Sequence, residues 1–293
     1  MSTANRVGDD AGGNQNTLAS RFGRALARRL TRFWKPIDAR LLRIAAKSER
    51  FSSIYFAFFS REFDREHRAV IAGRLLWQES RSGAPTTTSL LRRNTHRLEK
   101  GLLMRPRRGT FALDYIRETV DFYTSFVRTE KGRDENNGEV RWATDVLDEY
   151  FRVSAPNPLV DRLRTQYHQS DRPLTGGDGQ PRSPYRRDLS VPPPVKYEDL
   201  LALAKRRRSV RWFLDKPVPR ELIEKAVTVA SLSPSACNRQ PYLFRVFDDP
   251  KFVQTVAELP GGTVGFAHQF PAVIALVGEL RNYYGERDRH LIY

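Results

Sequence analysis

Apolar residues recur along the chain with a helical period over most of its first half. From Thr17 to Lys47 they fall at Leu18, Phe22, Leu26, Leu30, Phe33, Ile37, Leu41 and Ile44, in steps of mostly three or four residues. That spacing predicts an amphipathic helix, which Pro36 should kink or split. Ser52–Arg81 reads as one long or two short helices, and Ser89–Leu103 as another, with Gly101 a plausible stop. Ala112–Arg128 and Val140–Phe151 follow. No strand signal precedes residue 190.

Residues 154–195 change character. Pro156, Pro158, Pro173, Pro181, Pro184 and the run Pro192–Pro194 occur with Gly176, Gly177 and Gly179. Such a composition predicts a linker, extended where the prolines cluster. Beyond it, Tyr197–Arg206 and Pro219–Ser231 read as helices, the second starting well on its proline. Tyr242–Phe247 reads as a strand, Lys251–Glu258 as a helix, and the apolar run in Pro271–Gly278 as a buried strand. The expected organisation is a disordered tail at 1–16, a helical region at 17–153, the linker at 154–195 and an α+β domain at 196–293.

With 293 residues, 40% hydrophobic and 11% aromatic, the chain is too apolar to be wholly disordered. Its one cysteine, Cys237, excludes an internal disulfide framework and any zinc site built on several thiolates. Its longest apolar runs are far short of the ~20 residues of a spanning helix, and the start lacks the apolar core of a signal peptide. A cytoplasmic setting is the expectation.

The net charge of +16 is unevenly placed: +14 falls on residues 1–110, −2 on 111–195 and +4 on 196–293. No readable nucleic-acid motif accompanies the basic third, so nucleic acid is not an expected partner. The basic helix over residues 17–47, with Phe33 and Trp34, fits either a peripheral contact with an anionic membrane or packing of its apolar stripe on the protein. Packing is the favoured reading. His96 stands among arginines without ligand-spaced partners and gives no metal signal.

Two segments carry candidate chemistry. In Lys205-Arg206-Arg207-Arg208-Ser209-Val210-Arg211-Trp212-Phe213 a charge run meets apolar residues expected to be buried. Guanidinium groups pinned beside buried aromatics suit a phosphate, and Ser209 adds a hydroxyl. In Ser231–Tyr242, between a helix and a strand, small residues admit a planar ligand close to the backbone. Ser235, Asn238 and Gln240 offer directional hydrogen bonds there. Taken singly, each segment also fits a plain surface or loop.

Together they resemble the nitroreductase-like, FMN-dependent family. The resemblance is carried by Arg207-Arg208-Ser209-Val210-Arg211, by Pro217-Val218-Pro219 leading into a helix, and by Ser233-Pro234-Ser235-Ala236-Cys237-Asn238-Arg239-Gln240-Pro241. Pro260-Gly261-Gly262-Thr263 and the apolar run after Pro271 support it, and it covers roughly residues 196–293. It implies an α+β nitroreductase-like sheet with flanking helices, incomplete at the C-terminus, preceded by a helical accessory region. Arg207, Arg208, Ser209 and Arg211 would hold the FMN phosphate and ribityl chain. Pro234, Ser235, Ala236 and Asn238 would line the flavin ring, often across a homodimer. NAD(P)H would donate hydride to the flavin, which would pass it to a small-molecule acceptor such as a nitro compound or quinone, in ping-pong fashion.

No acid–base residue stands out, and Cys237 reads as a small buried thiol. Family domains run to about twice the length present here, so the expectation is a truncated domain whose FMN binding is in doubt. The competing expectation is a membrane- or polyanion-associated interaction protein with a degenerate flavin domain.

Overall fold

The computed structural model describes residues 36–82, 87–134, 137–172 and 182–283, with Gly285 and Arg289. The tail expected at 1–16, the first part of the basic helix at 17–35 and residues 173–181 of the expected linker lie outside the described residues. The chain divides into two compact units, Met1–Arg68 and Ala69–Tyr293.

In the first unit, residues 36–45 are helical (α1), and α2 spans Glu49–Phe58. Ser48 caps α2, its side chain accepting from Phe51 N at 3.2 Å. Tyr55, the buried residue of α2, donates to Asp38 Oδ1 at 2.5 Å and so ties α2 to α1. A second helix, α3 (Asp64–Ser82), completes the expected pair over 52–81 and runs into the second unit.

The core of the second unit lies among four helices: α4 (Ser89–Leu103), α5 (Ile116–Phe126), α7 (Gly138–Val153) and α8 (Pro158–His168). Each turns one apolar stripe inward. Leu91, Leu98 and Leu102 come from α4, and Ile116, Val120 and Tyr123 from α5. Val140, Val146, Leu147 and Tyr150 come from α7, and Val160, Leu163 and Tyr167 from α8. A four-residue helix, α6 (Glu130–Arg133), lies between α5 and α7.

Three phenols buried among these helices have hydrogen-bond partners. Tyr123 shares a 2.6 Å hydrogen bond with Thr144, Tyr150 donates to Phe111 O at 3.0 Å, and Tyr167 donates to Asp148 Oδ1 at 2.9 Å. Two glycines are dictated by packing rather than by turn geometry. A Cβ on Gly101 would lie 2.3 Å from the Phe111 ring, and one on Gly132 would lie 2.0 Å from Phe126 O. Gly101 thus sits inside α4 and does not end it.

Helix α8 corrects the linker expected from residue 154. Asn157 caps it by accepting from Leu159 N and Val160 N, Pro158 occupies the first turn, and three of its side chains are wholly buried. Prolines flanking this stretch mark a capped helix start here, not an extended spacer.

The remaining elements are α9 (Tyr197–Arg206), α10 (Arg220–Ser231), β1 (Tyr242–Phe247), α11 (Pro250–Ala257) and β2 (Val273–Gly278). β1 and β2 pair antiparallel, with Tyr242 opposite Gly278 and Phe247 opposite Val273. The chain is therefore α+β, mostly helical with a small two-stranded sheet. The sheet is less buried than expected: Ile274 and Leu276 on one face, and Leu243 and Val277 on the other, are exposed. No residue of α9 is buried, and α10 buries only Ile223.

Candidate functional site

The first candidate segment begins where α9 ends. Lys205 and Arg206 in the last turn complement the negative end of the helix dipole. Arg207 caps the helix in an extended conformation, and the chain then runs without regular structure to Pro219. Arg208 donates to the carbonyl oxygens of Lys205 and of Arg207, the latter at 3.0 Å. Arg211 donates to Ser209 O at 3.2 Å, and its guanidinium lies 5.7 Å from the centre of the Phe266 ring. Among the described residues, Arg207, Arg208 and Arg211 pair with no carboxylate, so their charge is not internally neutralised.

The aromatic neighbours differ from expectation. Val210, Trp212 and Phe213 are exposed, Trp212 at 77%. Phe213 makes an edge-on contact with Phe270 at 5.5 Å, but the segment lies on the surface and is not clamped in a core. The reason is that α9 buries none of its own residues, so the strand of chain following it has no apolar layer to enter.

The second segment is a tight turn between α10 and β1. Ala236–Asn238 form one 3-10 turn, and Cys237, Asn238 and Gln240 all have positive φ, at 52°, 49° and 48°. Such backbone costs roughly 1–2 kcal/mol per residue for ordinary side chains, less for Asn. Ser235 holds the turn closed, its Oγ accepting from Gln240 N at 2.9 Å, while Gln240 Nε2 donates to Asn238 Oδ1 at 3.1 Å. Pro234 and Ala236 are exposed; Ser235, Cys237 and Asn238 are half-buried.

A third participant comes from α4. Arg92 donates through Nη1 to Asn238 O at 3.2 Å and through Nη2 to Glu139 at the start of α7. The helical core thus grips the outer end of the turn. Beside it, Arg93 and Arg97 from α4 and Arg239 from the turn draw together. Burial and the like charges of Arg97 and Arg239 lower the pKa of Arg93. Arg97 is paired with Asp114 at 3.0 Å and lies 3.5 Å above the Tyr115 ring. Burial pushes the Tyr115 phenol up to about 12, so it faces this cluster uncharged.

The structure thus unites Ser235, Ala236 and Asn238 in one strained turn with Pro234 leading into it. It sets Arg207, Arg208, Ser209 and Arg211 on one exposed stretch. Among the described residues no hydrogen bond or ion pair joins the two sets. Arg92, Arg93 and Arg239 were not singled out by sequence. Their only signal is an arginine pair preceding Asn94 and Thr95, polar positions that prove buried in α4.

The described elements run in the order of an arginine-tipped helix, a further helix, a small-residue turn and a strand pair. Residues 204–289 match the model of the Nitroreductase family. The 4-nitrobenzoate reductase of Pseudomonas putida is 35% identical over 95 residues, covering 31% of this chain and 39% of that protein. Iodotyrosine deiodinase 1 of Rattus norvegicus is 29% identical over 65 residues, covering 22% of this chain and 23% of its own length. The iodotyrosine deiodinase of Nematostella vectensis is 40% identical over 55 residues, covering 19% of this chain and 21% of its own. The chain thus spans less than two-fifths of the length of these relatives. No solved structure matches the chain. Among the described residues, no helix is long and apolar enough to cross a membrane.

Proposed function

We propose that the chain is an FMN-dependent oxidoreductase of the nitroreductase type, passing hydride from NAD(P)H to a nitro, quinone or similar acceptor. The observation that carries this reading is that both candidate segments, in family order, fall within the matched residues 204–289. The relatives' names give the acceptor class: one reduces a nitrobenzoate.

The donor set fits FMN. The guanidinium groups of Arg207, Arg208 and Arg211 have no carboxylate competing for them, and a phosphate dianion is matched by such charge-assisted donors. Ser209 adds a hydroxyl donor. The turn of Pro234, Ser235, Ala236 and Asn238 offers small side chains and a fixed backbone, against which a flat ring system can lie. The flavin, when bound, supplies the hydride chemistry. The chain's own part is to neutralise the phosphate, orient the ring and limit access of water.

The reading includes a homodimer. Leu203, Leu222, Val229 and Leu232 of α9 and α10 and the loop after them lie exposed, Leu232 at 81%, and burying a leucine against a partner yields roughly 1.5–3 kcal/mol. A second copy of the same surface is a self-complementary cover for such a face.

The test is reconstitution. After incubation with FMN and desalting, the full chain should keep the yellow flavin absorption and elute as a dimer. A Ser209→Ala, Arg211→Ala variant should lose most of the flavin. Equal retention by that variant would show the phosphate to be held elsewhere.

A further inference from the structure

A cavity of about 280 Å³ opens between α4 and the stretch that follows the 236–238 turn, away from the Arg207–Arg211 segment. Its lining includes Trp77, Arg93, Tyr115, Glu118, Arg239 and Asn282. Arg97 and Asp114 complete its charged lining and are paired with each other.

Arg239 is the unusual member. It is 7% exposed, and its guanidinium makes neither an ion pair nor a hydrogen bond among the described residues. Its one recorded side-chain partner is the Tyr283 ring, 4.8 Å away. Burying a cation without a counter-charge costs several kcal/mol, and a ring face returns only a part of that. Arg93 is half-buried; its side-chain bond goes to Asn94 Oδ1 at 3.2 Å, a neutral acceptor, and the charge of Glu118 offsets only part of the effect of burial and of the neighbouring Arg97 and Arg239. Of the carboxylates nearby, Asp114 is paired with Arg97, and Glu118 accepts from the Asn94 amide at 3.2 Å. The charged lining of three arginines and two carboxylates leaves a net positive charge in a half-open cleft. Asn282 brings a buried Oδ1 that has no donor among the described residues.

We propose that this cavity is a binding site for a small oxyanion-bearing molecule, a phosphate ester or a carboxylic acid, gripped between Arg93 and Arg239. Two guanidinium groups arriving from different elements bracket an oxyanion with several charge-assisted bonds. The volume exceeds that of an oxyanion alone. The ligand therefore carries a small organic body, which lies against Trp77 and Tyr115, with a hydroxyl or amine for Asn282 Oδ1. The site joins the accessory helices to the family segment, and none of its lining belongs to 207–211 or 234–238. The inference therefore stands apart from the flavin reading.

Isothermal titration of the full chain with inorganic phosphate and, separately, with succinate tests it, in a buffer free of other polyvalent anions. Because phosphate can also bind at Arg207–Arg211, the cavity is read in the Arg207→Gln, Arg211→Gln background, where at least one of the two should bind saturably at one site. Arg93→Gln, which alters a partly exposed side chain on α4, and Arg239→Lys should each weaken that binding at least tenfold while retaining the circular-dichroism melt of the parent. Arg97→Gln, whose guanidinium is already paired with Asp114, should weaken that binding less than either of these. Phosphate as the tighter probe would indicate a phosphate ester, and succinate a carboxylic acid. Absence of binding by both anions in that background would overturn the proposal. So would undiminished binding in Arg93→Gln.

Discussion

On the proposed flavin reading, the contact between Arg92 and the 235–240 turn makes the accessory helices answerable for flavin binding, and Arg92→Ala isolates it. Arg92 is mostly buried, with 19% of its side chain exposed, and bonds both to Asn238 O and to Glu139. A hydrogen bond from a charged donor contributes about 1.5–3 kcal/mol. At 3.2 Å the bond to Asn238 is at the long end of the range, so the lower figure applies. Against it stands the strain of the left-handed backbone, roughly 2–4 kcal/mol from Cys237 and Gln240 at ~1–2 kcal/mol each, with less from Asn238. Arg92 offsets part of that strain, beside the Ser235–Gln240 bond inside the turn, so without Arg92 the turn should relax toward ordinary backbone and lose its flat presentation. A loss of about 1.4 kcal/mol corresponds to tenfold in Kd. Titration of FMN by quenching of its fluorescence should therefore give a Kd about tenfold weaker for Arg92→Ala. Arg92→Lys, which keeps the charge but not the fork, should fall between. A Kd within twofold of the parent in a folded Arg92→Ala protein would refute the reasoning.

Gly132→Ala should destabilise the chain, because the new Cβ would meet backbone, Phe126 O at 2.0 Å and Val127 Cα at 2.7 Å, neither of which can swing aside. A cost of about 1–3 kcal/mol is expected, lowering Tm by roughly 2–4 °C per kcal/mol for a unit of this size. Gly261→Ala, where nothing lies within 4 Å, should leave Tm in place, and equal shifts in the two would count against the packing argument. Alkaline pH should also destabilise the helical core. Burial raises the Tyr115 and Tyr123 phenols from 10.0 to about 12, so the folded state binds protons that the unfolded chain has released. Their contribution is fully present below pH 10 and is lost as pH rises toward 12. The urea midpoint should fall across that window, less steeply in Tyr123→Phe; a midpoint flat to pH 12 would contradict it.

Where side-chain pattern alone decides structure, the sequence was readable. The 3.6-residue stripe of α4, with Leu91, Leu98 and Leu102, places the helix at Ser89–Leu103 as expected, and α9 and β1 likewise match residue for residue. Helix α8 was obscured by the prolines and glycines around it, although Asn157 followed by Pro158 is a helix start in its own right. The exposure of Val210, Trp212 and Phe213 was not readable, because apolar character does not say whether a layer exists to receive it. The two motifs of the candidate site were legible as residues. The left-handed backbone at Cys237, Asn238 and Gln240 was not, since none of them is glycine. The convergence of Arg92 and Arg93 with Arg239 was hidden for a different reason: nearly 150 residues separate partners that only the packing of α4 against the turn brings together.

The central claim is that this chain reduces substrates through a flavin held by its 207–211 and 234–238 segments. Its most direct measurement is anaerobic spectroscopy of the full chain after reconstitution with FMN. The oxidised flavin band should bleach on addition of NADH or NADPH and return when a nitroaromatic or quinone is added. A band that stays unchanged with both nucleotides, or a protein that emerges from desalting without flavin, would contradict the account.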